Sequence, residues 1–245
     1  MARTAVLTLV VSAFLTGDVL AAEAQRKVVE KTVALAPDGR LAVETYKGRV
    51  TVTGWDRDEA AIRAVVSPDG SCDDAAGLVA KTRVRIEGSG REVRVVSDYD
   101  DLPKVRFDFR GDCASRPFVK YDIRIPRGAS LDVKDHKSRI SVDGVSGNVA
   151  VESYKGVVRL SHLSGKLDLE TYKGDAVAEI DRADGEVRVE TYKGEIELVL
   201  PKGARVDLEE KIGRRGILET DVEDAPSGPR FSVETYKGTI RLRTK

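Results

Sequence analysis

From about residue 126 to the end of the chain, apolar and polar residues alternate with period two in runs of four to six, and glycines separate the runs. That alternation is the mark of a half-buried strand. Between Gly156 and Gly174, Val158 and Leu160 alternate with polar neighbours, Ser164-Gly165 makes a turn, and Leu167 and Leu169 alternate again. The same frame recurs: Gly-x-Val-x-Leu, a short polar link, Gly-x-Val-x-Val, then Glu-Thr-Tyr-Lys and the next glycine.

The last part of the frame is close to invariant. Glu44-Thr45-Tyr46-Lys47-Gly48 returns as Glu152-Ser153-Tyr154-Lys155-Gly156 and Glu170-Thr171-Tyr172-Lys173-Gly174. It returns again as Glu190-Thr191-Tyr192-Lys193-Gly194 and Glu234-Thr235-Tyr236-Lys237-Gly238. Asp135-His136-Lys137-Ser138 and Glu210-Lys211-Ile212-Gly213 read as degenerate copies, so the C-terminal spacings from acid to acid run 17, 18, 20, 20 and 24. Five of the seven tyrosines lie in this motif.

Two strands per unit with glycines at the bends predict an all-β fold, a parallel β-solenoid (β-helix) of short 17–24-residue coils. A coil of about 18 residues at ~3.3 Å each has a perimeter near 60 Å, thin enough to be filled by its own aliphatic side chains. Strand alternation turns Val149, Val151 and Ser153 inward and Glu152 and Tyr154 outward. The inward hydroxyl then needs a partner at the corner, and Gly156 is expected to bend the chain with a positive φ. Coils ~4.8 Å apart would align Tyr154, Tyr172 and Tyr192 as a ladder flanked by rows of Glu and Lys. The candidate ligand ladder comprises Tyr46, Tyr154, Tyr172, Tyr192 and Tyr236, with Lys155, Lys173, Lys193 and Lys237 beside them and Glu152, Glu170, Glu190 and Glu234 on the other flank.

The segment before residue 126 breaks the frame. Lys81 to Asp98 holds two alternating runs about Gly88-Ser89-Gly90, a hairpin signal, and Phe118 to Pro126 reads as a further strand. Residues 25–66 are therefore assigned to the first strands of the repeat domain. Residues 67–125 form an antiparallel insertion or cap near the N-terminal end, and residues 126–245 the repeat solenoid. The cap covers one end of the stack, and Ile240 to Lys245 form the other, guarded by Arg241, Arg243 and Lys245.

Residues 1–24 read as a cleaved export signal: Arg3, an apolar run from Ala5 to Leu15, then small-residue cleavage sites. The run is too short to span a membrane, and no later segment is long and apolar enough to do so. An exported chain of this kind belongs in the periplasm, at the cell surface or outside the cell. An oxidising compartment favours a disulfide between Cys72 and Cys113, the only two cysteines. The charge balance is even, 41 Lys+Arg against 41 Asp+Glu, which speaks against a nucleic-acid partner.

The run Tyr121-Asp122-Ile123-Arg124-Ile125-Pro126-Arg127-Gly128-Ala129-Ser130-Leu131, followed by Ile140-Ser141-Val142-Asp143-Gly144-Val145-Ser146-Gly147, resembles the bacterial putative-adhesin β-strand-repeat family, related to auto-transporter adhesin head domains. Gly54-Trp55-Asp56 is similar to that family's early strand motif, and the resemblance extends from about Val33 to Arg243. It implies a right-handed parallel solenoid at the cell envelope and brings no catalytic residues. The Tyr-Lys pair departs from the family pattern, in which small polar residues are commoner.

Candidate chemistry is sparse. Glu152, Glu170 and Glu190 would stack at coil spacing on an open, wet face, where the perturbed acid–base pair of a glycosidase is hard to build. His136 and His162 fall in different coils and read as solvated surface. No phosphate loop, nucleophile elbow or calcium repeat occurs, so no catalytic residue, cofactor or metal is assigned. The expectation is an exported, non-enzymatic envelope structural or adhesion-like module whose partner is an envelope polysaccharide or another envelope protein. One alternative is a periplasmic carbohydrate- or peptidoglycan-binding module that uses the Tyr-Lys-Glu ladder. Another is a self-assembling element that stacks end to end through its C-terminal edge.

Overall fold

Strands dominate because nearly every run carries β-branched or aliphatic residues at alternate positions. The computed structural model describes residues 26–70, 74–102, 115–183 and 185–245. Cys72, Cys113 and the export signal lie outside these residues. In chain order the elements are β1 (Lys27–Glu44), β2 (Lys47–Trp55), β3 (Glu59–Ser67), the short helix α1 (Ala75–Lys81), β4 (Arg83–Asp98), β5 (Phe118–Pro126), β6 (Ser130–Asp135) and β7 (Lys137–Asp143). They continue as β8 (Val149–Ser153), β9 (Val157–Leu163), β10 (Leu167–Lys173), β11 (Asp175–Ile180), β12 (Val187–Lys193) and β13 (Glu195–Leu200). The last are β14 (Arg205–Ile212), β15 (Ile217–Thr220), β16 (Glu223–Asp224), β17 (Arg230–Thr235) and β18 (Thr239–Thr244).

The strands form two facing, mostly parallel sheets. One runs β4, β1, β6, β8, β10, β12, β17, β14, every neighbour parallel. The other runs β5, β2, β7, β9, β11, β13, β18, β15, again parallel. On its outer side β3 pairs antiparallel with both β5 and the first half of β1. The pairing is in register with the repeat: Val149, Leu167 and Val187 lie side by side, as do Glu152, Glu170 and Glu190.

Between the sheets runs an aliphatic core. One turn of chain contributes Leu167, Leu169, Ala176, Ala178 and Ile180, each 2% exposed or less. A fully buried Leu or Ile contributes about 1.5–3 kcal/mol, so a turn's own core is what holds it on its neighbours.

Glycines explain how closely the turns approach. A Cβ built on Gly174 would overlap the carbonyl oxygen of Gly156, and one on Gly194 that of Gly174. Of this series only Gly48 and Gly194 have a left-handed φ, 139° and 145°. The bend at Gly156 is therefore made without the positive φ expected of it, and backbone proximity is what requires glycine there.

The chain folds back within β4, as the hairpin signal about Gly88–Gly90 expects: Arg83 and Arg85 reach Asp98 of the same element at 3.3 and 3.4 Å, a contact that a straight strand of this length cannot make. Gly88 and Gly90, with φ of 85° and 76°, make the bend, and the second half of the element, Glu92 to Val96, lies parallel to Arg40–Glu44 of β1.

Two further expectations are revised. The first concerns stack order, because β17 and β18 insert between the β12–β13 turn and the β14–β15 turn. The free end is thus β14–β15, and Ile240 to Lys245 are interior. The hydrophobic pattern explains why. Phe231, Val233, Ile240 and Leu242 are all buried and can be covered from both sides, whereas β14 puts Glu210 opposite Val233 at an inward register position. A defective turn can only be terminal, and a carboxylate there obstructs edge-to-edge growth.

The second revision follows from the first. Arg241, Arg243 and Lys245 are not edge guards but ion-pair with Glu195, Glu219 and Asp181.

Two stability changes are expected. Leu169→Ala should cost about 2–4 kcal/mol in urea unfolding. Gly174→Ala should cost about 2–3 kcal/mol, because the obstructing atom is a backbone carbonyl that cannot rotate away. If Gly174→Ala left stability unchanged, the close-approach argument would be wrong.

Candidate functional site

The repeated pentapeptide sits where each strand of the first sheet turns the corner toward the second. Its Thr or Ser points inward: Ser153, Thr171, Thr191 and Thr235 are all buried. A buried hydroxyl must be satisfied, and here it either bridges turns or caps its own corner. Thr171 Oγ1 donates to Thr191 Oγ1 at 3.0 Å, while Ser153 Oγ and Thr235 Oγ1 accept from the backbone N–H of Gly156 and Gly238, each at 3.0 Å. At the first turn Thr45 continues this line through Ser97 to the Tyr121 hydroxyl, at 3.1 and 2.7 Å. Burial pushes the pKa of Tyr121 upward.

Outside the corner the rings form one column. Tyr154 and Tyr172 stack at 4.7 Å with 5° between their planes, Tyr172 and Tyr192 at 4.8 Å, and Tyr192 and Tyr236 at 5.2 Å. His136 fills the gap between Tyr46 and Tyr154, 4.6 and 4.7 Å from each. The column therefore has six rungs, and His136 belongs to it rather than to the general solvated surface. Burial, with Lys137 adding to it, holds the His136 imidazole below the usual histidine range. That favours the neutral ring, which stacks without introducing a charge.

The register shows why the sequence hid this rung. Lys134 pairs with Glu152 and Asp135 with Ser153, so the degenerate copy begins one residue earlier than its acid suggested. The other degenerate copy is displaced the opposite way, beginning one residue later than its acid, with Lys211 opposite Glu234 and Ile212 opposite Thr235. Asp135 thus occupies a hydroxyl position. Its Oδ2 accepts from the Ser138 N–H at 2.6 Å, its Oδ1 has no partner, and burial raises its pKa.

The two ends of the column differ. Tyr99 meets Tyr46 edge-on at 6.3 Å, and the Arg116 guanidinium lies 4.2 Å from the Tyr46 ring centre. At the far end Gly213 stands beside Tyr236, which is 55% exposed against 37% for Tyr154. Within the column, ring faces are closed against one another. What Tyr154, Tyr172 and Tyr192 offer to solvent is edges and hydroxyls, so no sugar ring can lie on their faces.

Charge flanks the column on both sides. On the sheet side Glu152 pairs with Lys134 at 3.0 Å, Glu190 with Arg188 at 2.9 Å, and Glu234 with Lys211 at 3.2 Å. Glu170 has no such pair, and its pKa is raised by burial and by the neighbouring Glu190 and Glu152 carboxylates. On the corner side Lys155 and Lys173 rest 5.3 Å from their own tyrosine rings, and Lys237 Nζ donates to the Tyr192 hydroxyl at 3.2 Å.

Among the described residues the array lines an open groove of about 530 Å³ beside Tyr192, Gly213 and Tyr236. A shallow groove of about 420 Å³ crosses the first sheet, and its Arg40, Asp132, Lys166 and Glu186 pair with one another. His162 lies apart from the column and bonds Asp143 at 2.8 Å. Among the described residues no three His, Cys, Asp or Glu side chains gather as a metal site, and no helix is long and apolar enough to cross a membrane.

Glu170 gives a pH test. Its pKa is higher in the fold than in the unfolded chain, so between the two values the native state binds more protons and stability falls as pH rises. Glu170→Gln should therefore raise Tm at neutral pH, and the gain should fade as pH drops below the raised pKa. A calorimetric pH series that shows a constant gain would contradict this.

The profile of the family Toastrack DUF4097 matches residues 27–213. No curated protein matches. Among solved structures, a "putative cell adhesion protein" from Clostridium sporogenes ATCC 15579 shares the fold at a TM-score of 0.53 and 13% identity, covering 89% of this chain and 100% of its own. A "putative adhesin" from Bacteroides fragilis NCTC 9343 is 16% identical over 88% of this chain and 97% of its own, with a TM-score of 0.32. A "putative lipid binding protein" from Parabacteroides distasonis ATCC 8503 is 14% identical over 88% and 96%, also at 0.32. With its two parallel sheets, in-register repeat and matching profile, the chain belongs to the Toastrack family DUF4097.

Proposed function

We propose that this protein is an exported, non-enzymatic adhesion-like module of the cell envelope that presents its aromatic–lysine corner to a linear envelope polymer. The observation that carries this reading is the column itself. Six rings and the lysines beside them repeat in register at close to 4.8 Å, which is an array suited to a partner that repeats too. A stable sheet needs only some β-formers at outward positions, and Tyr followed by Lys in five copies exceeds that requirement.

The export signal and a Cys72–Cys113 bridge around the segment 67–125 complete the picture of a rigid extracytoplasmic stack. In it, residues 25–66 and 126–245 supply the repeat, built of short 17–24-residue coils. The segment 67–125 closes its N-terminal end.

Co-sedimentation with purified cell-wall and outer-envelope polysaccharides tests the reading. The protein should sediment saturably, and a Lys155/Lys173/Lys193→Gln variant, which keeps every ring, should lose most of the effect. A Tyr154/Tyr172/Tyr192→Ser variant, checked for folding by circular dichroism, should also lose it. Absence of sedimentation by the unaltered protein would sink the proposal.

A further inference from the structure

Most cations on this protein are neutralised locally. Arg40 pairs with Asp132, Arg63 with Glu30, Arg94 with Glu44, Arg188 with Glu190, and Arg230 with Glu209. Among the described residues Lys193, Lys202, Arg214 and Arg215 lack such pairs, and so does a cluster that lies on consecutive turns. Arg49, Lys137, Arg139, Lys155, Arg159 and Lys173 are all exposed, and none of these side chains makes a hydrogen bond or an ion pair.

Register gathers the six. Lys137 follows Lys47 in the same row, Arg139 lies beside Arg49, and Arg159 lies one row over, beside Ser141. Lys155 and Lys173 continue the lysine row, their backbone N–H groups donating to the carbonyls of His136 and Tyr154. The patch therefore wraps the corner over consecutive turns, lysines on the bend and arginines on the adjoining sheet.

The nearby acids are occupied. Asp69 is held by Lys47 and Ser115, Asp135 by Ser138 and Ser153, and Asp143 by His162 and Ser161. In the arginine row itself the first carboxylates are Asp175 and then Glu195, where the patch stops. Like charges in adjacent rows repel, and among the described residues no carboxylate forms an ion pair with any of the six. The complement is a negative charge that repeats with the strands.

We propose that this basic corner binds an acidic polysaccharide carrying one carboxylate per sugar. The inference rests on the docking role proposed above and specifies its ligand class. Three features select that chemistry. Successive turns advance ~4.8 Å, and an extended chain of pyranoses advances by about the same distance per residue, so one carboxylate meets one cationic turn. Guanidinium groups take a carboxylate through two parallel N–H···O bonds, while each ammonium adds a point charge. The hydroxyls of Tyr154 and Tyr172, beside Lys155 and Lys173, can exchange hydrogen bonds with sugar hydroxyls. Duplex nucleic acid, with about one charge per 1.7 Å of axis, is too dense a partner for this spacing.

The test compares polygalacturonate with the same polymer after reduction of its carboxyls, using titration calorimetry on the folded protein. Polygalacturonate should bind, at least tenfold more weakly at 200 mM than at 50 mM salt, and the reduced polymer should not bind. Arg139→Glu with Arg159→Glu should weaken binding tenfold or more, Arg139→Gln with Arg159→Gln should weaken it less, and Lys202→Glu at a distant turn should change nothing. Equal binding of both polymers would overturn the inference. So would binding to phosphatidylglycerol vesicles in place of polygalacturonate, which would make the patch a membrane contact. Loss of polygalacturonate binding with envelope sedimentation intact removes this inference alone, whereas loss of both removes the docking role as well.

Discussion

The structure depends on one constraint: every turn of chain lies on its neighbour in register, at the spacing of parallel β-strands. That single repeat converts a sequence motif into columns. Rings 18 or 20 residues apart become stacked pairs at 4.7 and 4.8 Å. Threonines become a line of hydroxyls, and glycines become the points where successive backbones come closest. Nothing in a single unit could hold these contacts, since a lone two-stranded turn cannot bury its own apolar face.

Stacking identical residues helps some columns and strains others. Aliphatic side chains, rings and hydroxyls attract their copies, so the core and the aromatic column reinforce the register. Carboxylates and ammoniums repel theirs. The glutamate row is relieved by Lys134, Arg188 and Lys211, with Glu170 left in the middle to absorb the mismatch as a raised pKa. In the lysine row Lys47 pairs with Asp69 and Lys237 bonds the Tyr192 hydroxyl, while Lys155 and Lys173 lie beside tyrosine rings without a carboxylate. Two rows built on the same repeat thus balance their charge differently.

The ends of the stack obey a different rule, because a terminal turn is covered on one side only. At one end β3 pairs antiparallel with β5 and with the first half of β1, and at the other β14 carries Glu210 at an inward register position. An acid at such a position would be costly in the middle of the stack and is tolerable at its edge. The order of the last turns follows from this, with the fully apolar pattern of β17 and β18 placed inside and the interrupted one outside.

The sequence by itself determined the strands, their alternation, the parallel repeat, and the column of Tyr46, Tyr154, Tyr172, Tyr192 and Tyr236, because period-two patterning and an explicit motif are local properties. It also carried His136, but only register could reveal that rung, since the substituted copy starts on Lys134 and not on an acid. Tertiary structure alone decided that β17–β18 lie inside β14–β15. It alone decided as well which cations find a carboxylate. Those outcomes depend on which surfaces are covered from both sides and which charges meet across turns far apart in the chain, and no window along the sequence contains that information.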